Sequence, residues 1–188
     1  ESDVLNRVPF AQGIVRLAAD APRGWGLRIG VYGGWGEGKS SVLKMVAAQL
    51  HREGHLVAEF NPWGCASPQE MVEVLADTLV AVAGRAARDI DGAAKRSVKK
   101  GAKLLSKAGE ALGGDVGKVF SPWLDRWAKD RKADIEKVVR TLGNKERLIV
   151  LVDDVDRVDP KLLPQLFFAL HEVFALPGIS FVLALDPE

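Results

Sequence analysis

One run of residues, Gly33-Gly34-Trp35-Gly36-Glu37-Gly38-Lys39-Ser40, constrains this chain more than any other feature. It fits the spacing G-x-x-x-x-G-K-[ST]. The apolar segment Leu27–Gly33 (LRIGVYG) leads into it, and the segment from Ser40 to about Arg52 follows. That second segment carries Val42, Leu43, Val46, Ala47 and Leu50 at helical intervals. Strand, glycine loop and helix in that order are the context in which the motif has chemical meaning. Glycines let the backbone wrap a phosphate chain with successive N–H groups pointing inward. Lys39 is expected to reach the β- and γ-phosphates and the Ser40 hydroxyl to bind Mg²⁺, while the helix turns its positive end toward the anion. The expected binding residues are Gly33, Gly34, Trp35, Gly36, Glu37, Gly38, Lys39, Ser40 and Ser41. The expected ligand is ATP with Mg²⁺; no N-K-x-D guanine motif is present, and the residues by themselves do not separate ATP from GTP.

A phosphate loop needs a carboxylate from a second strand to hold the metal. The run Leu148–Val152 (LIVLV) supplies one by ending in Asp153-Asp154-Val155-Asp156-Arg157. Asp153 leaves the strand at its carboxyl end, where ligands bind in parallel α/β sheets, and is the expected metal carboxylate. Asp154 is then placed to polarise an attacking water, and is expected with Lys39 to carry catalysis. The alternative, a polar helix start, suits Asp159 before Pro160 better than a doublet fused to an apolar run. Arg157 reaches phosphate or, more simply, pairs with Asp156 or another acidic neighbour. Trp35 and Trp63 are read as packing residues ahead of nucleotide stacking, and Trp25, Trp123 and Trp127 as hydrophobic anchors.

Helix and strand signals alternate along the chain, which predicts an α/β domain with a mainly parallel sheet. Besides Leu27–Gly33 and Leu148–Val152, strands are expected at Leu56–Phe60 and Ile179–Leu185. Helices are expected from about Phe10 to Ala19, from Ser40, from Pro68 through Val82, from Pro122, and from Lys161 to about Phe174. A span of about 85 residues separates the second and third strands, far more than one crossover helix needs. Residues 1–188 are therefore read as one core carrying a helical insertion at about 84–121. Between Arg85 and Lys107 that insertion holds eight Lys/Arg against Asp89 and Asp91. It reads either as a solvated cover for the core or as a docking surface for nucleic acid, an anionic membrane surface or an acidic subunit. It lacks the interleaved aromatics that stack on single strands.

Composition narrows the remaining classes. Hydrophobic residues at 47% and charged residues at 27% exclude wholesale disorder. The lone Cys65 excludes an internal disulfide framework and a cysteine zinc cluster. The formal charge of +1 points to no global anionic partner. No apolar run reaches the roughly 18 residues a membrane span needs, and the polar opening carries no signal peptide, so a cytoplasmic protein is expected. The first residue is Glu, and the chain stops just after an apolar strand, as expected of a fragment.

With these residues in view, the chain resembles the KAP family of P-loop NTPases. Asp3-Val4-Leu5-Asn6-Arg7 with Phe10-Ala11 is similar to the family's N-terminal box, and Gly33–Ser41 to its tryptophan-bearing Walker A motif. Phe60-Asn61-Pro62-Trp63 is similar to the motif closing its second strand, Asp153–Arg157 to its Walker B, and Phe181–Asp186 to the strand that follows. The resemblance implies an ATPase with a three-layer sandwich of the additional-strand type. The strand order would be 1-4-3-2, and Asp186 would hold a sensor-like position. Glu37 departs from expectation by placing a negative charge inside the loop. The resemblance further implies a motor or switch subunit of a larger bacterial system such as phage defence, working with other subunits or by self-association. An alternative is a nucleotide-dependent assembly switch with little hydrolysis; a weaker one is a nucleic-acid-binding protein acting through the basic insertion.

Overall fold

The computed structural model describes residues 6–22, 24–86, 146–164, 166, 167, 170 and 178–187. Four strands form one parallel sheet: β1 (Arg28–Tyr32), β2 (Leu56–Phe60), β3 (Leu148–Val152) and β4 (Ile179–Leu185). Their spatial order is β1-β4-β3-β2, the order the family resemblance implies. The continuous apolar runs LIVLV and ISFVLAL are the two central strands. Every residue of β3 is buried, and so is every residue of β4 but its last. A central strand covered on both faces has no solvent side on which to place polar residues. Edge strand β1 exposes alternate positions instead, and edge strand β2 exposes Glu59.

Helices cover both faces. On one, α1 (Val8–Ala19) and α2 (Lys39–Arg52) meet Val31, Val57, Ile149, Leu151, Val182 and Ala184. On the other, α3 (Pro68–Ala86) and the buried Leu166 and Leu170 meet Phe60, Leu148, Val150, Val152, Ile179 and Phe181. Residues of β3 alternate between the two clusters, as the two-residue period of a strand requires. The result is the expected three-layer sandwich.

Boundaries moved little. The first helix starts at Val8, with Pro9 in its first turn, where a missing N–H costs nothing. The third runs through Ala86 and so takes in the start of the span read as an insertion. Helical residues after Pro160 begin at Leu163, following a turn in which Asp159 accepts from the Lys161 N–H at 2.9 Å. Asp159 is thus the local helix-start residue. The helix expected from Pro122 and the basic stretch beyond Ala86 lie outside the described residues. No helix among the described residues is long and apolar enough to cross a membrane.

Candidate nucleotide site

The sheet brings the motifs to one edge. Register pairs Tyr32 with Leu185, Val152 with Leu183, and Phe60 with Val152, so the strands end together at their carboxyl side. The Gly33 N–H continues the ladder by donating to the Leu185 carbonyl at 3.2 Å, and the Asp153 N–H donates to the Phe60 carbonyl at 3.1 Å. Because β4 lies between β1 and β3, the loop and the aspartate doublet leave the sheet about 10 Å apart, two strand spacings. Asp186 follows the intervening strand and sits between them.

The loop is tied by a reciprocal pair. The Glu37 N–H donates to the Gly34 carbonyl at 3.2 Å, and the Gly34 N–H donates to Glu37 Oε2 at 2.7 Å. The negative charge that looked out of place therefore folds back onto the loop's own amide. Gly38 has φ +85° and caps α2 without a side chain. The first-turn amides of α2, which no helical carbonyl can reach, have no side-chain cap, and an anion is the group that suits them.

Lys39 is the hub. Its ammonium donates to the carbonyls of Gly33 at 2.8 Å and Gly34 at 3.2 Å. It also lies 3.8 Å from Asp156 Oδ2 and 3.7 Å from Asp186 Oδ2, with its side chain 10% exposed. The structure thus brings Asp186 to the loop lysine. It adds Asp156, which sequence reasoning left out of the site; its place three residues after Asp153 in the acidic run was the available signal.

Asp153 and Asp154 differ in their surroundings. Asp153 Oδ1 accepts from the Asp154 N–H at 2.9 Å. Asp154 has a left-handed backbone (φ 54°), a conformation Asp tolerates better than most residues. Its Oδ2 accepts from Asn61 Nδ2 at 2.7 Å, and its Oδ1 forms an ion pair with Arg157, 2.9 Å from Nε. Asn61 is itself fixed, because its Oδ1 accepts from the Trp63 N–H at 3.0 Å. The Arg157 guanidinium lies over the Trp63 ring, 5.0 Å from the centroid, close enough for a cation–π attraction. Arg157 therefore takes the ion-pair role, with Asp154 rather than Asp156 as partner. Asn61 was quoted in the Asn-Pro-Trp motif but given no role; its pairing with a residue 93 positions away shows only in the fold.

The tryptophans depart from the packing expectation. Trp35 is 81% exposed, Trp25 65% and Trp63 57%. A loop of glycines offers Trp35 no apolar wall, and Trp63 uses its face for Arg157. Trp123 and Trp127 lie outside the described residues.

The donor set suits Mg²⁺. Ser40 and Asp153 offer hard oxygens, and this ion commonly takes only one or two protein ligands beside water and phosphate. No cluster of three or more His, Cys, Asp or Glu suited to a metal occurs among the described residues.

Comparison with known proteins agrees with this geometry. A family model, the KAP family P-loop domain, matches residues 8–188. No curated protein matches significantly. Among solved structures, the chain is similar to Drosophila ORC bound to DNA, at 18% identity and a TM-score of 0.53, covering 98% of this chain and 38% of that one. It is also similar to the Aeropyrum pernix ORC2 protein in ADPNP–ADP complexes, at 16% identity and a TM-score of 0.51, covering 99% and 42%. At such identities the likeness is one of fold, and the chain spans about two-fifths of the length of each. The family match runs from the first helix through the last strand, and the chain belongs to the KAP family of P-loop domains.

Proposed function

We propose that the chain binds ATP with Mg²⁺ at Gly33–Ser41 and that the protein containing it hydrolyses the nucleotide. The observation that carries this reading is the position of Lys39. Its ammonium stands at the sheet edge, held by loop carbonyls and by Asp156 and Asp186, where an entering phosphate exchanges with those partners. Lys39 and the loop amides would stabilise charge on the γ-phosphate, Ser40 and Asp153 would hold Mg²⁺, and Asp154 would orient water. Bound Mg²⁺ would neutralise phosphate charge. Asp186, beside Lys39, would report the state of the γ-phosphate.

The clamp on Asp154 favours a second reading, a nucleotide-dependent switch with slow hydrolysis. A carboxylate already engaged at both oxygens has to release at least one before it can direct a water. The family's association with phage exclusion supports a subunit of a bacterial defence system, and the charge of Arg85–Lys107 supports docking to nucleic acid, an anionic membrane surface or an acidic subunit.

Turnover and Mg·ATP binding by Asp153→Asn and Asp154→Asn test the roles. Asp154→Asn should keep its affinity and lose about 10²-fold or more in rate, since a water-orienting base acts in the transition state. Asp153→Asn should shift the Mg²⁺ dependence of both quantities. Normal turnover by Asp154→Asn would remove it from the reaction.

A further inference from the structure

A second cation reaches the phosphate loop from outside the motif. Arg7 is the N-cap residue of α1, preceded by Asn6 with a left-handed backbone (φ 50°). Helices α1 and α2 pack side by side, with Ala11, Ile14 and Val15 in one buried cluster with Val42, Leu43 and Val46. That packing sets the residue opening α1 beside the glycine opening α2. The Arg7 guanidinium comes so close to Gly38, Nη1 foremost, that a Cβ added there would fall on Nη1, with Cζ 2.8 Å and Nη2 3.2 Å from it.

This contact gives the guanidinium no hydrogen bond, since a glycine Cα offers no acceptor. The other two cations of the site are engaged, Lys39 by Asp156 and Asp186 and Arg157 by Asp154. Among the described residues no acceptor holds the Arg7 side chain, and an unbranched apolar residue would cover Gly38 equally well. A planar five-donor cation at this position matches a phosphate oxygen pair, which it can meet bidentately.

We propose that Arg7 is a phosphate-binding residue of this site, moving from the Gly38 face onto the phosphate chain that ADP and ATP share. The inference rests on the nucleotide-binding reading above. It gives Gly38 a second reason to be glycine: beyond its φ of +85°, it leaves room for the guanidinium.

The test compares wild type, Arg7→Met, Arg7→Lys and Lys39→Ala by calorimetry with Mg·ATP, Mg·ADP and inorganic tripolyphosphate. Arg7→Met keeps the length and apolar stem, so the thermal midpoint of the ligand-free protein should hold. Loss of a charge-assisted contact should weaken ATP, ADP and tripolyphosphate by about tenfold each. Arg7→Lys should recover part of that loss. Unchanged affinity of Arg7→Met for ATP and ADP would overturn the proposal. So would a loss for ATP with none for tripolyphosphate, which would move the contact to base or sugar. If Lys39→Ala loses ATP while Arg7→Met does not, Arg7 alone is refuted; if wild type binds neither nucleotide, the reading beneath it falls too.

Discussion

Removing Asn61 should speed hydrolysis if the bonds on Asp154 restrain it. Two contacts hold that carboxylate. The Arg157 pair, with the arginine side chain 41% exposed and the aspartate 20%, is worth about 0.5 kcal/mol after allowance for solvent. The Asn61 bond at 2.7 Å is worth about 1 kcal/mol as a net contribution. Together they hold Asp154 by about 1.5 kcal/mol, so freeing both oxygens would raise the released population by roughly tenfold. Asn61→Ala removes the larger share and should raise saturated turnover by about fivefold, since about 1 kcal/mol corresponds to that factor. The assay is single-turnover ATP hydrolysis by the intact protein, with Arg157→Ala as an independent arm expected to give a smaller rise. Asn61 also anchors the Trp63 N–H, so thermal midpoints have to be matched before rates are compared. A rate that falls in Asn61→Ala at unchanged stability would refute the reasoning, because the bond would then belong to the productive arrangement.

Two predictions concern the scaffold. Phe181 is fully buried in central strand β4, and Phe181→Ala should cost about 3–5 kcal/mol, read as a lower denaturant midpoint with the slope retained. His55 is buried just before β2, and desolvation by burial lowers its pKa below the ordinary imidazole value, against the opposing pull of Glu53. The folded state therefore disfavours the proton that the unfolded chain accepts below about 6.5. Stability from this group should be complete at higher pH and fall as pH drops through that window toward the lower folded value; a His55→Gln protein with the same slope against pH would contradict it.

Much of the architecture was legible because it followed from local rules. LIVLV read as a strand covered on both faces and ISFVLAL as a strand, and both are central strands. The glycine run between an apolar strand and an amphipathic helix read as a phosphate loop, and it connects β1 to α2. Strand order came from the family resemblance, since nothing in the periodicity says which strand lies beside which. The clamp on Asp154 was not legible: it joins Asn61 after β2 to Asp154 and Arg157 after β3, and their proximity is a product of register. Arg7 beside Gly38 depends likewise on how two helices pack. The exposure of Trp25, Trp35 and Trp63 escaped a reading that expects large aromatics to pack. Glu37 was a local matter, an i, i−3 return of a carboxylate to an amide, but a pattern of residue types does not say which way a side chain folds.

The central claim is that Lys39, at the meeting of the loop with Asp156 and Asp186, receives a nucleotide's phosphates. Calorimetric titration of wild type and Lys39→Ala with Mg·ATP tests it most directly. Wild type should bind, and Lys39→Ala, folded by circular dichroism, should bind at least about tenfold more weakly, the factor that a lost charge-assisted contact implies. Equal affinities in the two proteins would contradict the claim.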